Sequence, residues 1–239
     1  MNKILVIIPA FNEAVAIRGV VEDVRFSLKE ADLLVINDCS GDGTAEILDA
    51  SGINHLDLPV NTGIGGAVQA GLKYALEKGY DIAVRIDGDG QHDPAYIGEM
   101  LKVLISGEAD MAIGSRFMET GGYKSTFSRR AGIRFLGSIC RIITKMKITD
   151  ITSGFHAYGR KAMAAIYEHY PQDFPEPEVI IIMSKLGIKI KEIPVKMKPR
   201  NEGVSSIRGF KAPFYVVKVA LAMIIGNLRR YDGKPGNDV

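Results

Sequence analysis

The stretch Val84-Arg85-Ile86-Asp87-Gly88-Asp89-Gly90-Gln91 decides the fold, because an apolar run ends there abruptly in two carboxylates set among glycines. Such a run is typical of a strand that is buried on both faces of a sheet. Two carboxylates one residue apart at the end of a strand can both bind one divalent cation that prefers oxygen ligands. The same pattern also fits a polar turn that only closes a buried strand, so the rest of the chain has to decide between the two.

Apolar runs and helical segments alternate around this stretch. Strands are predicted at residues 4–8, 33–36, 53–58, 82–86 and 109–114, and helices at residues 14–29, 43–50, 63–77 and 94–105. Alternation at this rhythm is typical of βαβ units, and it predicts an α/β fold with a mostly parallel central sheet and helices on both faces. Two further strands are predicted at residues 179–183 and 188–195.

Polar clusters follow four of the predicted strands. These clusters are Asn12-Glu13, Asn37-Asp38, Asp87 to Asp89, and Ser115-Arg116. Ligands bind beyond the carboxyl ends of the strands in sheets of this kind. We therefore expect the four strand ends to present polar groups to one crevice. Asp38 can accept a hydrogen bond from a nucleobase N–H there, or it can cap the next helix or turn.

The charge of the chain is distributed very unevenly. The 239 residues carry a net charge of only +2, but residues 1–120 sum to −10 and residues 121–239 to +12. Residues 120–149 contain seven basic side chains and no acidic one. This split predicts a half that faces a metal and a sugar, joined to a half that meets anions. Nucleic acid is not an expected partner, because the basic half lacks the interleaved aromatic residues that stack on bases.

Neither end of the chain has a sequence typical of a membrane-spanning segment. Residues 4–8 are expected to form a first strand and not a signal peptide, and the longest apolar stretch, residues 212–228, is interrupted by Lys218. Cys39 and Cys140 lack metal-ligand spacing, which favours reduced thiols in a cytoplasmic protein. Basic residues flank apolar positions with helical spacing between residues 210 and 230, which favours a helix that lies in a membrane interface over one that packs on the domain or binds a membrane partner.

The order of motifs resembles family-2 glycosyltransferases of the GT-A fold, especially dolichol-phosphate mannose synthases and their bacterial polyprenyl-phosphate relatives. The resemblance covers residues 4 to about 208. It rests on Ile8-Pro9-Ala10-Phe11-Asn12-Glu13, Asn37-Asp38-x-Ser40-x-Asp42-Gly43-Thr44, Asn61-x-Gly63-x-Gly65, Asp87-x-Asp89-x-Gln91-His92-x-Pro94, Gly114-Ser115-Arg116, Asp150-x-x-Ser153-Gly154-Phe155 and Arg200-x-x-Gly203-x-Ser205. A dinucleotide-binding fold is disfavoured, because Gly63-x-Gly65-Gly66 is not the required glycine pattern and does not follow the first strand.

The resemblance implies a role for each motif. Pro9, Phe11, Glu13 and Asp38 would hold the donor base and ribose, and Asp87, Asp89 and Gln91 would bind Mg²⁺ or Mn²⁺ against the diphosphate. Arg116 and Arg200 would contact phosphate oxygens, which a guanidinium group suits. Asp89, Arg116 and Asp150 are the implied catalytic residues, with Asp150 as a base or as the residue that orients the Ser153-Gly154 loop.

The acceptor side of the resemblance is less uniform. Arg129, Arg130 and Ser153 are the implied acceptor-binding residues, with either arginine as the match to the family's phosphate-binding position. Many relatives have Arg where this chain has His156 and Lys where it has Ser206. Glu176 and Glu178, in Phe174-Pro175-Glu176-Pro177-Glu178, can contact sugar hydroxyls, or the prolines can simply keep the loop extended.

These expectations combine into an inverting, metal-dependent transfer of a hexose from a nucleotide diphosphate sugar to a polyprenyl phosphate at the cytoplasmic face of a membrane. Two alternatives remain: extension of a lipid-linked glycan, and a membrane-surface binding module with an inactive donor site. A sugar-nucleotide pyrophosphorylase is disfavoured, because its first loop should be glycine-rich and basic, whereas residues 9–13 are acidic. A homo-oligomer or a membrane-protein partner is possible.

The domain organisation follows from the same motifs. We expect a GT-A domain at residues 1–208, a C-terminal amphipathic helix at residues 209–231 that associates with a membrane, and a flexible tail at residues 232–239.

Overall fold

The computed structural model describes residues 2–118, 127–198 and 211–231, without the side chains of residues 127–131 and 211–215. The strands are β1 (Ile4–Ala10), β2 (Asp32–Asn37), β3 (His55–Asp57), β4 (Ile82–Arg85), β5 (Met111–Ser115), β6 (His156–Gly159) and β7 (Ile190–Pro194). The α-helices are α1 (Ile17–Ser27), α2 (Thr44–Ala50), α3 (Gly63–Glu77), α4 (Ile97–Ile105), α5 (Phe127–Thr144), α6 (Arg160–Ile166), α7 (Pro175–Lys185) and α8 (Lys211–Leu228).

The strands of the described chain form one sheet in the order β3-β2-β1-β4-β6-β5-β7. The pairs β1–β2, β1–β4, β2–β3 and β5–β7 are parallel. Strand β6 runs antiparallel to both of its neighbours, β4 and β5. The prediction of a mostly parallel sheet is therefore confirmed. Because β5 and β4 run in the same direction, the carboxyl ends of β1, β2, β4 and β5 all lie at one edge.

Two hydrophobic cores lie on opposite faces of the sheet. On β1, Leu5 and Ile7 belong to one core, and Val6 and Ile8 belong to the other. The first core contains residues of α3 and α5 to α8, whereas the second contains residues of α1, α2 and α4. Successive side chains of a strand point to opposite faces, so a strand with helices on both sides has to be apolar throughout. The continuous apolar run at residues 4–8 is thereby explained.

The prediction of a strand at residues 179–183 is wrong. This segment lies within α7, and each of its residues is buried. A continuous apolar run does not distinguish a buried strand from a helix that is buried all round. Pro175 lies in the first turn of α7, a position that proline favours in helices, and it indicates a helix here. The short strand β6 and the helix α6 that follows it were not predicted, whereas the strand at 188–195 is confirmed as β7.

Helix α8 is apolar on two faces and not on one. Val219 and Met223 are buried in the core shared with α5 and α7. The opposite face is exposed and includes the large apolar side chains Val217, Leu221, Ile224, Ile225 and Leu228. The apolar face formed by these five exposed side chains is thus turned away from the domain. Within the described residues, no helix combines the length and the apolar character needed to cross a bilayer.

Candidate active site

A cavity of about 440 Å³ opens at the carboxyl ends of β1, β2 and β4. Its lining includes six of the residues predicted to bind the donor or a metal, namely Pro9, Phe11, Glu13, Asp38, Asp87 and Asp89. Arg85 and Glu176 line it as well. Three of the four polar strand ends therefore meet at one crevice, as predicted. The fourth, at Ser115 and Arg116, is not among the described residues that line this cavity.

The loops after β1 and β2 are joined by side chains of the first two motifs. The Asn12 backbone N–H donates to Ser40 Oγ at 2.9 Å, and Gly41 N–H donates to Asn12 Oδ1 at 2.9 Å. Glu13 N–H donates to Thr44 Oγ1 at 3.1 Å. Asn12 has a φ of 57°, a conformation that asparagine tolerates better than most residues. These polar residues hold the loops that carry Phe11 and Glu13 at the cavity.

Asp38 is fixed by the loop that precedes α3. Its Oδ1 accepts bonds from the Thr62 backbone N–H at 2.7 Å and from Thr62 Oγ1 at 2.8 Å. Asn61 Nδ2 donates to the Asp38 carbonyl at 3.2 Å. Gly65 in the first turn of α3 is approached closely by another part of the chain, because a Cβ there would clash with the Pro171 carbonyl oxygen.

The first carboxylate of the acidic pair is held by a buried arginine. Arg85 Nε and Nη2 donate to Asp87 Oδ1 at 3.1 and 3.0 Å, and Nη2 also donates to Glu176 Oε1 at 2.9 Å. The Arg85 side chain is only 2% exposed, whereas that of Asp87 is 32% exposed. Burial disfavours the charge of Arg85, but Asp87 and Glu176 outweigh burial and raise its pKa above the usual value. Asp87 thus reaches the cavity from a rigid support.

His92 completes the surroundings of Asp87. The Asp87 backbone N–H donates to His92 Nδ1 at 3.0 Å, and the imidazole stacks on the Phe155 ring at a centroid distance of 5.0 Å. Burial lowers the pKa of His92, so the ring is neutral at pH 7 and its proton lies on Nε2. Burial works to raise the pKa of Asp87, but the Arg85 charge outweighs it and the pKa lies below the ordinary value. Asp87 is therefore an anion at neutral pH.

Asp87 and Asp89 place two carboxylates at the cavity, the ligand type that binds a divalent cation such as Mg²⁺. Asp89 Oδ1 accepts the Gln91 backbone N–H at 3.0 Å, which fixes the turn from Asp89 to Gln91. No group of three or more His, Cys, Asp or Glu side chains in the described chain is placed to enclose a metal ion. Mg²⁺ is commonly held by one or two carboxylates, with waters and substrate phosphates as its other ligands. Gln91, the third predicted ligand, is not among the described residues that line the cavity.

Arg116 and Asp150 form a closed pair outside the cavity. Asp150 is fully buried, and its carboxylate accepts bonds from Arg116 Nε at 2.6 Å, Arg116 Nη2 at 2.8 Å and the Arg116 backbone N–H at 3.1 Å. It also accepts a bond from Thr152 Oγ1 at 3.1 Å. A general base must reach the proton that it removes. This geometry supports the orienting role predicted for Asp150, and its role as a base stays a prediction.

The Ser153-Gly154-Phe155 motif packs against Arg85 and Asp87. Ser153 is buried, and its hydroxyl donates to the Gly114 carbonyl at 2.6 Å, so the structure does not bring this predicted acceptor-binding residue to the cavity. A Cβ at Gly154 would lie 2.8 Å from Arg85 Nη2 and 2.9 Å from Asp87 Oδ2. Only glycine leaves room for the Arg85–Asp87 pair at this position.

The remaining predicted arginines are not described in side-chain detail. Arg129 and Arg130 lie on the α5 backbone, and their side chains are outside the described residues, as is all of Arg200. The described chain reaches Lys198, two residues before Arg200, where the Lys198 backbone N–H donates to the Gln91 carbonyl at 2.8 Å. Their phosphate-binding roles remain predictions.

Arg85 is the site residue that sequence reasoning missed. An arginine inside the apolar run at residues 82–86 was a signal, because a buried arginine is rarely found without a paired anion. The strand register places Arg85 directly opposite His156 on β6.

Comparison with known sequences now identifies the family. The sequence model of glycosyl transferase family 2 matches residues 5–167. The chain belongs to this family. It is 32% identical over 217 residues to an undecaprenyl-phosphate mannosyltransferase of Micrococcus luteus, covering 87% of this chain and 88% of the relative. It is also 30% identical over 242 residues to a polyprenol monophosphomannose synthase of Mycolicibacterium smegmatis, covering 97% of this chain and 91% of the relative.

Solved structures place this glycosyltransferase in the GT-A fold. Glucosyl-3-phosphoglycerate synthase from Mycobacterium tuberculosis, crystallised with Mn²⁺ and UDP-glucose, superposes with a TM-score of 0.70. The match covers 95% of this chain and 79% of that enzyme, at 20% sequence identity. At this identity, the likeness shows the fold and leaves the substrates of this family-2 enzyme open.

Proposed function

We propose that this glycosyltransferase moves a hexose from a uridine or guanosine diphosphate sugar to a polyprenyl phosphate, with inversion at the anomeric carbon. The observation that carries the proposal is the cavity in which Asp87 and Asp89 face Pro9, Phe11 and Asp38. It offers a carboxylate pair for a cation and diphosphate, beside an aromatic ring and a carboxylate for the nucleoside. The names of the relatives in Micrococcus luteus and Mycolicibacterium smegmatis support polyprenyl phosphate as the acceptor.

In the proposed donor complex, Asp38 accepts the base N–H, and Phe11 and Pro9 cover the base and ribose. Thr62 holds one oxygen of Asp38, so the carboxylate is oriented before the nucleotide arrives. Asp87 and Asp89 would hold Mg²⁺ or Mn²⁺, which supplies positive charge to the departing diphosphate. Arg200 would contact the same phosphates, as the resemblance implies.

The proposed transfer needs no strong base. An oxygen of the acceptor phosphate attacks the anomeric carbon as the bond from that carbon to the donor's β-phosphate oxygen breaks, and the nucleoside diphosphate leaves with the electron pair. The acceptor is already an anion, whereas a sugar hydroxyl would have to lose a proton. Asp150, the residue predicted as a base, is buried and bonded to Arg116, which favours the phosphate acceptor over a glycan. Arg129 or Arg130 would bind the acceptor phosphate.

The exposed apolar face of α8 supports a peripheral position at the membrane. Five large apolar side chains on this face are exposed, and Lys218, Arg229 and Arg230 lie on or beside the helix. Apolar residues combined with basic ones favour the interface of an anionic bilayer. A polyprenyl phosphate has its headgroup at that interface. Cys39 and Cys140 are both free thiols, in keeping with a cytoplasmic location.

The acceptor assay tests the proposal directly. Purified protein is incubated with Mn²⁺ and radiolabelled UDP- or GDP-hexoses, and with either undecaprenyl phosphate or a lipid-linked glycan. We expect label in the polyprenyl phosphate product, and loss of that product when EDTA removes the cation. Transfer to the lipid-linked glycan alone would establish the alternative acceptor, and binding of donor without any transfer would establish the inactive binding module.

Vesicle flotation tests the membrane position separately. We expect the chain to float with anionic vesicles, and Ile225→Gln on α8 to reduce the floating fraction several-fold. Ile105→Gln on α4 is the matched control, because Ile225 is 50% exposed and Ile105 is 57% exposed. Equal flotation of both variants and the unmodified chain would remove α8 from the proposed contact.

A further inference from the structure

Glu176 occupies a position at the cavity that neither the nucleoside nor the cation explains. It is the second residue of α7, its side chain is 19% exposed, and it lines the cavity. Its Oε1 accepts a bond from Arg85 Nη2, the same nitrogen that bonds Asp87 Oδ1. One buried guanidinium group therefore joins two carboxylates that lie 89 positions apart in the sequence.

The charges at this point are not balanced by the protein alone. Asp87 and Glu176 both accept bonds from the one guanidinium group of Arg85, and Asp87 alone is sufficient to neutralise that group. Glu176 is thus a second anion on one cation. It does not complete a metal site, because no cluster of three suitable side chains exists among the described residues. A surplus carboxylate facing a cavity is best satisfied by hydrogen-bond donors such as hydroxyl groups.

We propose that Glu176 is a specificity-determining residue that binds hydroxyl groups of the transferred hexose. The inference rests on the proposed function, in which the donor diphosphate lies at Asp87 and Asp89. The hexose is the group attached to that diphosphate, and Glu176 is separated from Asp87 only by the Arg85 guanidinium. Its carboxylate accepts bonds from hexose hydroxyls, and Arg85 is the positioning residue that orients it.

The surroundings of Glu176 hold it rigidly enough to discriminate between hexose epimers. Pro175 and Pro177 restrict the backbone on either side, and the first turn of a helix stabilises a carboxylate. An epimer that turns one hydroxyl away removes one hydrogen-bond donor from the Glu176 carboxylate, while the bond from Arg85 remains. Because hydrogen bonds to charged groups are strong, this loss is expected to reduce affinity about ten- to a hundredfold.

Binding measurements with Glu176→Gln test the inference. Calorimetric titrations use UDP and GDP with Mn²⁺, and then UDP-glucose, UDP-galactose, GDP-glucose and GDP-mannose. We expect the variant to bind the nucleoside diphosphate within about threefold of the unmodified protein, but to lose about tenfold or more of its preference among epimeric hexoses. Glu178→Gln is the matched control two residues further along α7, because Glu178 does not line the cavity, and it should keep the full preference.

The outcomes separate this inference from the proposed function. If the unmodified protein binds none of these sugar nucleotides, both fail. If it binds them and Glu176→Gln retains the same epimer preference, the assignment of Glu176 alone is wrong. Equal weakening of UDP or GDP and of the sugar nucleotides would also overturn it, because Glu176 would then act through Asp87. Glu176→Asp, which keeps the charge but shortens the reach, should alter the preference without affecting the nucleoside diphosphate.

Discussion

Two arginine–aspartate pairs of this glycosyltransferase lie at the ends of β4 and β5, the strands on either side of β6, and they differ in how exposed their carboxylates are. At the end of β4, Arg85 is buried and Asp87 reaches the cavity with a side chain that is 32% exposed. At the end of β5, Arg116 is 12% exposed and Asp150 is fully buried beneath it. In the first pair the buried Arg85 guanidinium group holds a carboxylate that faces the cavity. In the second pair the anion holds the chain around it together.

The two carboxylates differ in how many of their hydrogen bonds come from within the protein. Asp87 and Asp150 each belong to one of the sequence motifs, and each accepts hydrogen bonds from the guanidinium group of a nearby arginine. The Asp150 carboxylate also accepts bonds from the Arg116 backbone and from Thr152, so its lone pairs are directed into the protein. The two pairs contain the same residue types. They differ in the exposure of the aspartate side chain and in the number of hydrogen bonds that it accepts from the protein. Four variants test this contrast.

The largest effect is expected at the acidic pair. Asp89→Asn should lower transfer by at least about a hundredfold, because a neutral amide binds a divalent cation weakly and the diphosphate loses its compensating charge. The melting temperature should change little, since Asp89 lies at the cavity. Steady-state transfer and a thermal melt measure the two quantities. Transfer at more than half of the original rate would refute the metal role.

The opposite pattern is expected at Asp150. Asp150→Ala leaves the Arg116 charge without its buried partner, and the free energy of unfolding should fall by about 3 kcal/mol. Chemical denaturation measures this change. The affinity of the folded variant for UDP or GDP with Mn²⁺ should remain within about threefold. A large loss of nucleotide affinity with unchanged stability would place Asp150 in the site for chemistry.

An intermediate effect is expected at Gly154, which packs against Arg85 and Asp87. Gly154→Ala puts a methyl group against Arg85 Nη2 and Asp87 Oδ2, and it should cost about 1–3 kcal/mol of unfolding free energy as well as transfer activity. Gly137→Ala on α5 is the matched control, because a Cβ there meets nothing within 4 Å. That variant should be neutral or slightly stabilising, as alanine favours helix. Equal behaviour of the two variants would contradict the close packing.

The smallest effect is a pH dependence from His156. Burial, with the Arg85 charge second, lowers the pKa of His156 to about 3 from an ordinary value of 6.5. Between these values the unfolded chain binds a proton that the folded chain does not. This part of the stability is therefore complete above pH 6.5 and is lost as the pH falls, by about 2 kcal/mol between pH 7 and pH 5.

His156→Gln tests this dependence, because glutamine does not titrate and can still bond Tyr158, whose hydroxyl lies 2.7 Å from His156 Nδ1. Unfolding free energies at pH 7 and pH 5 should differ less in the variant than in the unmodified protein. An unchanged difference would show that His156 is not the group responsible.

The sequence by itself determined the order of strands and helices in the first half and the position of the acidic pair at a strand end. Apolar periodicity is a local property, and polar residues after parallel strands necessarily share one edge of a sheet. Three of the four polar strand ends line one cavity as expected, with Glu13, Asp38, Asp87 and Asp89, whereas Ser115 and Arg116 are not among the described residues that line it. Pro9 and Phe11, which only the family resemblance indicated, line it as well.

Only the tertiary structure decided which charged groups pair and which remain accessible. Arg85 bonds Glu176 across 91 positions, and Arg116 bonds Asp150 across 34. Residues 179–183 are helical, although an apolar run that is buried on all sides can be either a strand or a helix. Burial and pairing depend on what the rest of the chain places nearby. A local pattern contains no information about that.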